Sequence, residues 1–270
     1  MLIPSTLGRG TGAILLLSGT LAMSGCAMAS AISPQQEAQM GAQNAEEINR
    51  QLPIVQDASI NRYINDLGRS IASRFDQRVQ YNFYVVNAPE VNAFAVPGGH
   101  IYVNRGLIER AETMSELAGV LGHEIGHVVE RHGIEQMTRM QNAELGVNLA
   151  YILLGRQPGA LEQVAVQGGA SAFFASHSRA AENEADAVAV QYMIESGIDP
   201  NGIATMFQRL MAEQQRSPST VEQWFSTHPM HEDRIANVRE LIRQAGNPQG
   251  LTRDTQAYQD LRRRVRQLPS

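Results

Sequence analysis

The chain has 270 residues, 43% hydrophobic and 18% charged, the balance of a globular protein long enough to bury a core in one or two domains. Acidic residues outnumber basic ones 27 to 22, so there is no general electrostatic footprint for nucleic acid. All the basic residues are arginine, and the single cysteine, Cys26, excludes an intramolecular disulfide framework and any cysteine-rich zinc site.

Positions 1–25 carry one positive charge, Arg9, then an apolar stretch from Ala13 to Met23 interrupted by Ser18, Gly19 and Thr20. The stretch is too short and broken for a permanent membrane helix, so a signal peptide is predicted over 1–25. Met23-Ser24-Gly25-Cys26 resembles the bacterial lipobox, although Leu is usual where Met23 stands. On that reading the mature chain begins at a lipidated Cys26, each buried acyl CH₂ contributing about 0.8 kcal/mol to anchoring. Ala27, not Asp, follows, which in a Gram-negative lipoprotein implies outer-membrane sorting. The alternative is a plain secretory peptide that ends near a cysteine.

Ser33-Pro34 is a helix-start signal, and Met40, Ala45 and Ile48 have the spacing of an amphipathic helix. A second helix is predicted from Ser59 to Phe75, where Ile60, Tyr63, Ile64, Leu67 and Ile71 recur at three and four. Period two then predicts strands at Tyr81–Val86 and Val91–Val96, with Pro97-Gly98-Gly99 turning the second into a third at Ile101–Val103. Asn92 to Val96 would be an edge strand, open to β-augmentation by an extended peptide or simply one arm of a hairpin. The remainder is helical in pattern, with no repeat of 20 to 50 residues, and 26–270 reads as a single domain.

The strongest chemical signal is His123-Glu124-Ile125-Gly126-His127. Thr113 with Glu116 makes a capping box, and Leu117, Val120, Leu121, Ile125 and Val128 form the apolar stripe of a helix predicted to stop at Gly133. Histidines four apart on a helix point the same way, so both imidazoles reach one metal ion, with Glu124 beside them to accept a proton from water. A catalytic zinc site needs a third protein ligand. In Ser178-Arg179-Ala180-Ala181-Glu182-Asn183-Glu184-Ala185-Asp186 a helix starts on which Glu182 and Asp186 share a face, while Glu184 lies nearly opposite. That geometry selects Glu182 as ligand and sets Asp186 where it can accept the free N–H of a ligating histidine.

Together, H-E-I-G-H, S-R-x-x-E-x-x-A-D, N-A-F-A-x-P-G-G-x-I-Y-V and S-T-H-P-x-x-x-x-R resemble the zinc-metalloprotease family that includes the CAAX prenyl proteases, HtpX, and the periplasmic BepA and LoiP proteins. The similarity runs from about Ser33 to Ala245. It implies a mainly α fold with a small β-sheet (α+β), a gluzincin-type metallopeptidase domain spanning 26–270. It implies one Zn²⁺ per chain on His123, His127 and Glu182, general base and acid work by Glu124, and a proton-donor or ligand-orienting role for Asp186. His228, in Ser226-Thr227-His228-Pro229, matches a family histidine that approaches the metal, stabilising the oxyanion or taking the water's place in a latent state. It could equally cap a helix whose first residue is Pro229.

The implied function is an endopeptidase of the bacterial envelope that hydrolyses unfolded or misassembled polypeptides. The alternative is an outer-membrane protein assembly chaperone with a latent zinc site. Expected partners are polypeptide substrates, the membrane through Cys26 and outer-membrane assembly machinery, without nucleic acid, on the periplasmic side of the outer membrane or in the soluble periplasm. Neither the multiple membrane helices of the prenyl-protease and HtpX branches nor the tetratricopeptide tail of BepA is recognised in this sequence, so the expected likeness is to the LoiP type. Gln141–His177 reads as a lid over the cleft or a buried helical hairpin, and Arg262–Arg266 as a solvated helix end or a lipid contact. His132 and His231 read as helix-end or solvent-facing residues, and His100 and His177 have no assigned role.

Overall fold

The computed structural model describes residues 32–72, 78–139, 176–230 and 233–269. The signal segment, Cys26, His231 and the stretch 140–175 lie outside the described residues. The architecture is mainly helical with one small sheet, as the sequence leads one to expect. No helix among the described residues is long and apolar enough to cross a membrane.

Helix α1 (Pro34–Gln51) starts on a complete capping box, in which Ser33 Oγ accepts from the Gln36 N–H and the Gln36 side chain accepts from the Ser33 N–H. Helix α2 (Ala58–Ala72) buries Ile60, Ile64, Leu67 and Ile71 on one face and packs behind strand β1 (Asn82–Val86). Strands β2 (Ala93–Val96) and β3 (His100–Asn104) form an antiparallel hairpin across Gly98 and Gly99. Both glycines have φ near +90°, a region that a Cβ disfavours. Strand β1 runs parallel to β3 on its other side, so the order is β1-β3-β2 and β2 lies at an edge.

A short helix, α3 (Arg105–Arg110), leads into α4 (Met114–Val129), which is buried from Met114 through Val128. Around it pack α5 (Arg179–Glu195) and α6 (Asn201–Arg216). Helices α7 (Pro218–Thr227), α8 (Arg234–Gln244) and α9 (Gln256–Val265) complete the shell. The contact between α4 and α5 positions the site, and Gly126 makes it possible. A Cβ at Gly126 would fall 2.7 Å from the Ala185 Cα and carbonyl oxygen, so only glycine lets these two backbones approach so closely.

Two local expectations are corrected. Thr113 does accept from the Glu116 N–H, but the Glu116 carboxylate reaches back to the Glu112 N–H, not to Thr113, and is held there by Arg209. The H-E-x-x-H helix ends at Val129, ahead of Gly133, because Arg131 takes φ 59° and turns the chain into a new helical stretch over 132–139.

Candidate metal centre

Three helices meet at the site. The middle of α4 supplies His123, Glu124 and His127, the first turns of α5 supply Glu182 and Asp186, and the end of α7 supplies His228. Helix α5 is started by Ser178, whose hydroxyl accepts from the Ala181 N–H, and this cap sets the register that turns Glu182 and Asp186 inward. All six side chains are buried. His123, His127, Glu182 and His228 each offer one donor atom, and these atoms lie within 4.8 Å of one another.

His123 Nε2 is 3.0 Å from His127 Nε2 and 3.2 Å from His228 Nδ1. Glu182 Oε1 is 3.2 Å from His228 Nδ1 and 3.4 Å from His127 Nε2, and Glu182 Oε2 is 3.4 Å from His123 Nε2. Glu124 Oε1 lies 3.4 Å from His228 Nε2. Behind the cluster, Asp186 Oδ1 lies 2.8 Å from His123 Nδ1. Asp186 also accepts from Arg234 through both oxygens, at 2.9 and 2.8 Å, and the same guanidinium ion-pairs with Glu182 and lies 4.4 Å over the Phe207 ring.

The electrostatics follow from burial and crowding. Burial pushes the His123 imidazole down, but the Glu182 charge and the Asp186 hydrogen bond outweigh it and raise the group to about 9 in the metal-free site. Burial drives His127 well below its ordinary value. Burial raises Glu182 and Asp186, but neighbouring charges reverse the sign: His228 and His123 hold Glu182 well below the usual carboxylate range, and His123 with Arg234 lowers Asp186. For Glu124 burial prevails and its carboxyl is raised, tempered by His228 and His123.

These donors fit one zinc ion. The two facing Nε2 atoms, 3.0 Å apart, need a cation between their lone pairs or a proton on one of them. Glu124 Oε1 is buried without a hydrogen bond among the described residues, and imidazole with carboxylate is a zinc donor set.

The structure brings together every residue the sequence singled out: His123, Glu124, His127, Glu182, Asp186 and His228. Helix α8 begins at Arg234, so no helix starts at Pro229, and His228 is the buried cap at the end of α7. Three neighbours were not anticipated. Arg234 stands in the S-T-H-P-x-x-x-x-R motif, which was the available signal. His132 is buried and not solvent-facing, its Nδ1 2.9 Å from His127 Nδ1. The His177 ring stacks on His127 with centroids 3.9 Å apart, and burial lowers it to about 3. Strand β2 from Phe94 through Val96 walls a cleft whose floor holds Glu124, His127 and His228.

Fold and site together define a zinc metalloprotease domain, with an H-E-x-x-H helix and a glutamate on the next packed helix. The chain belongs to peptidase family M48, whose sequence pattern matches residues 55–242. It is 32% identical over 249 residues to the beta-barrel assembly-enhancing protease of Yersinia pestis, covering 89% of this chain and 51% of that protein. Against the Escherichia coli K12 protein of that name it is 30% identical over 247 residues, covering 88% and 50%. The mitochondrial metalloendopeptidase OMA1 of Schizosaccharomyces pombe is 30% identical over 179 residues, covering 66% and 52%. The chain thus spans about half the length of these curated relatives.

Proposed function

We propose that this protein is a zinc endopeptidase of the bacterial envelope, anchored through Cys26 after removal of residues 1–25, that cleaves unfolded or misassembled polypeptides during outer-membrane protein assembly. The buried four-donor group beside a Glu124 oxygen that accepts no hydrogen bond among the described residues is the observation that carries the reading. The lipobox-like segment and the names of the bacterial relatives support the location and the substrate class.

His123, His127 and Glu182 would hold the ion, with His228 in the fourth corner of the group. Bound there, zinc supplies Lewis acidity and a water nucleophile at neutral pH. A substrate strand laid along β2 in antiparallel fashion would present its main chain to the cleft floor. Glu124, its carboxyl raised by burial, takes a proton from the attacking water and passes it to the leaving amine. Asp186 fixes His123 with its Nδ1 protonated, and Arg234 keeps Asp186 ionised.

His228 supports a second reading of the resting state. Its Nδ1 lies 3.2 Å from both His123 Nε2 and Glu182 Oε1, the corner that an open site leaves to water. The resting chain would then be latent, and displacement of His228 would open it. Purified protein should degrade casein, lose that activity to a zinc chelator, and regain it with one equivalent of zinc. Chelator-insensitive cleavage, or none after reconstitution of both the wild type and His228→Ala, would overturn the peptidase reading.

A further inference from the structure

The two histidines of α4 are held from behind in different ways. His123 meets a carboxylate directly, in Asp186, and that carboxylate is itself held by Arg234 in the buried interior. On its Nδ1 side His127 meets no carboxylate directly among the described residues. Its Nδ1 lies 2.9 Å from His132 Nδ1, and the other nitrogen of that ring, Nε2, lies 3.0 Å from Glu184 Oε2. Glu184 sits on the α5 turn that carries Glu182 and Asp186, but on the opposite side, with its side chain 59% exposed.

From this arrangement the geometry points to His132 and Glu184 as a positioning pair that sets the tautomer and ring orientation of His127 for zinc, a proposal that rests on the metal-site reading above. The hydrogen-bond logic has one consistent solution for neutral rings. The Glu184 carboxylate can only accept, so His132 carries its proton on Nε2 and leaves Nδ1 as an acceptor. His127 must then donate from Nδ1, which frees the Nε2 lone pair facing His123 and Glu182. A relay of imidazole and carboxylate thus does for His127 what Asp186 does for His123.

The backbone is bent to build this relay. Arg131 occupies the left-handed region at φ 59°, which a non-glycine residue holds only where its surroundings fix it there. Its guanidinium is tied down by the buried Glu37 carboxylate at 2.7 Å and by the Ile32 carbonyl at 2.5 Å. Had α4 continued without this turn, residue 132 would have projected away from position 127, since residues five apart do not share a helix face. The break at Arg131 is what folds His132 back beneath His127.

The test is zinc affinity, measured by competition with a fluorescent chelator on the full chain, with thermal melts of the metal-free proteins alongside. His132→Phe keeps an aromatic ring but removes the acceptor, and should weaken zinc binding roughly 10- to 100-fold. His132→Asn, whose Oδ1 stands near the lost Nδ1, should recover most of that. Glu184 is on the surface, so Glu184→Ala should leave the metal-free melt unchanged yet weaken zinc roughly tenfold, the low end for a group that orients a metal ligand. A structural role for His132 alone would not make Glu184→Ala lose zinc. Zinc binding by Glu184→Ala within twofold of wild type overturns the pair, and that variant decides the matter if His132→Phe does not fold. A wild-type chain that takes up no zinc overturns the metal-site reading itself, and this proposal with it.

Discussion

Arg234→Met is the most demanding perturbation of the site. Methionine retains packing volume against Phe207 but withdraws the guanidinium that donates to both Asp186 oxygens and ion-pairs with Glu182. Removing one partner of a buried ion pair costs about 3–5 kcal/mol, because a charge remains without compensation. Here the figure should fall near the lower end, about 3 kcal/mol, since His123 Nδ1 still faces Asp186 at 2.8 Å. For a domain of this size each kcal/mol shifts the melting temperature by about 2–4 °C, so a drop of roughly 6–12 °C is expected. The assay is urea unfolding and thermal melting of the metal-free protein at pH 7 in EDTA. Adding Asp186→Asn to Arg234→Met should return on the order of 1–2 kcal/mol, because the double variant no longer buries the orphaned carboxylate. A loss below about 1 kcal/mol, or a double variant that loses the full sum of its parts, would refute the argument from buried charge.

Other outcomes follow from the same geometry. Gly126→Ala should destabilise by about 1–3 kcal/mol despite the better helix propensity of alanine, because its Cβ meets Ala185 backbone at 2.7 Å; weaker zinc binding should accompany the lower melting temperature. Metal-free stability should peak near pH 6.5. The depressed Asp186, Glu182, His127 and His177 lose their contribution as pH falls, whereas the raised Glu124 and His123 lose theirs as pH rises, His123, raised to about 9, contributing fully below about 6.5 and losing its share through 9. Unfolding in EDTA across pH 4–10 checks this, and a flat profile between 6.5 and 9 would contradict it. Zinc binding at pH 7.5 should release protons, since it needs a neutral His123; calorimetry in buffers of different ionisation enthalpy reads this directly.

What was legible in the sequence was local. Ser33, Thr113 and Ser178 announce their helices because a cap acts within three residues. The spacing of His123 and His127, and of Glu182 and Asp186, specifies shared faces through the 3.6-residue period alone. Arg234 reaches Asp186 across 48 positions, and nothing in local pattern specifies a contact between separate helices. His132 stands at a helix end, as expected, but its burial beneath His127 is not legible, because the left-handed Arg131, held by Glu37 from α1, interrupts a pattern that otherwise continues as helix to Gly133. The sheet was legible as three strands and one hairpin, whereas the parallel pairing of β1 with β3 depends on packing of α2 and α4 that period two does not encode.

The claim that this buried cluster is a working peptidase centre meets its most direct test in one paired measurement, zinc content and casein cleavage of wild type and Glu124→Gln. The variant preserves side-chain shape and removes only the proton acceptor. It should retain one zinc per chain and lose cleavage by roughly 10²–10⁴-fold, the usual contribution of a general base. Equal cleavage by the two proteins, each loaded with one zinc, would contradict the account.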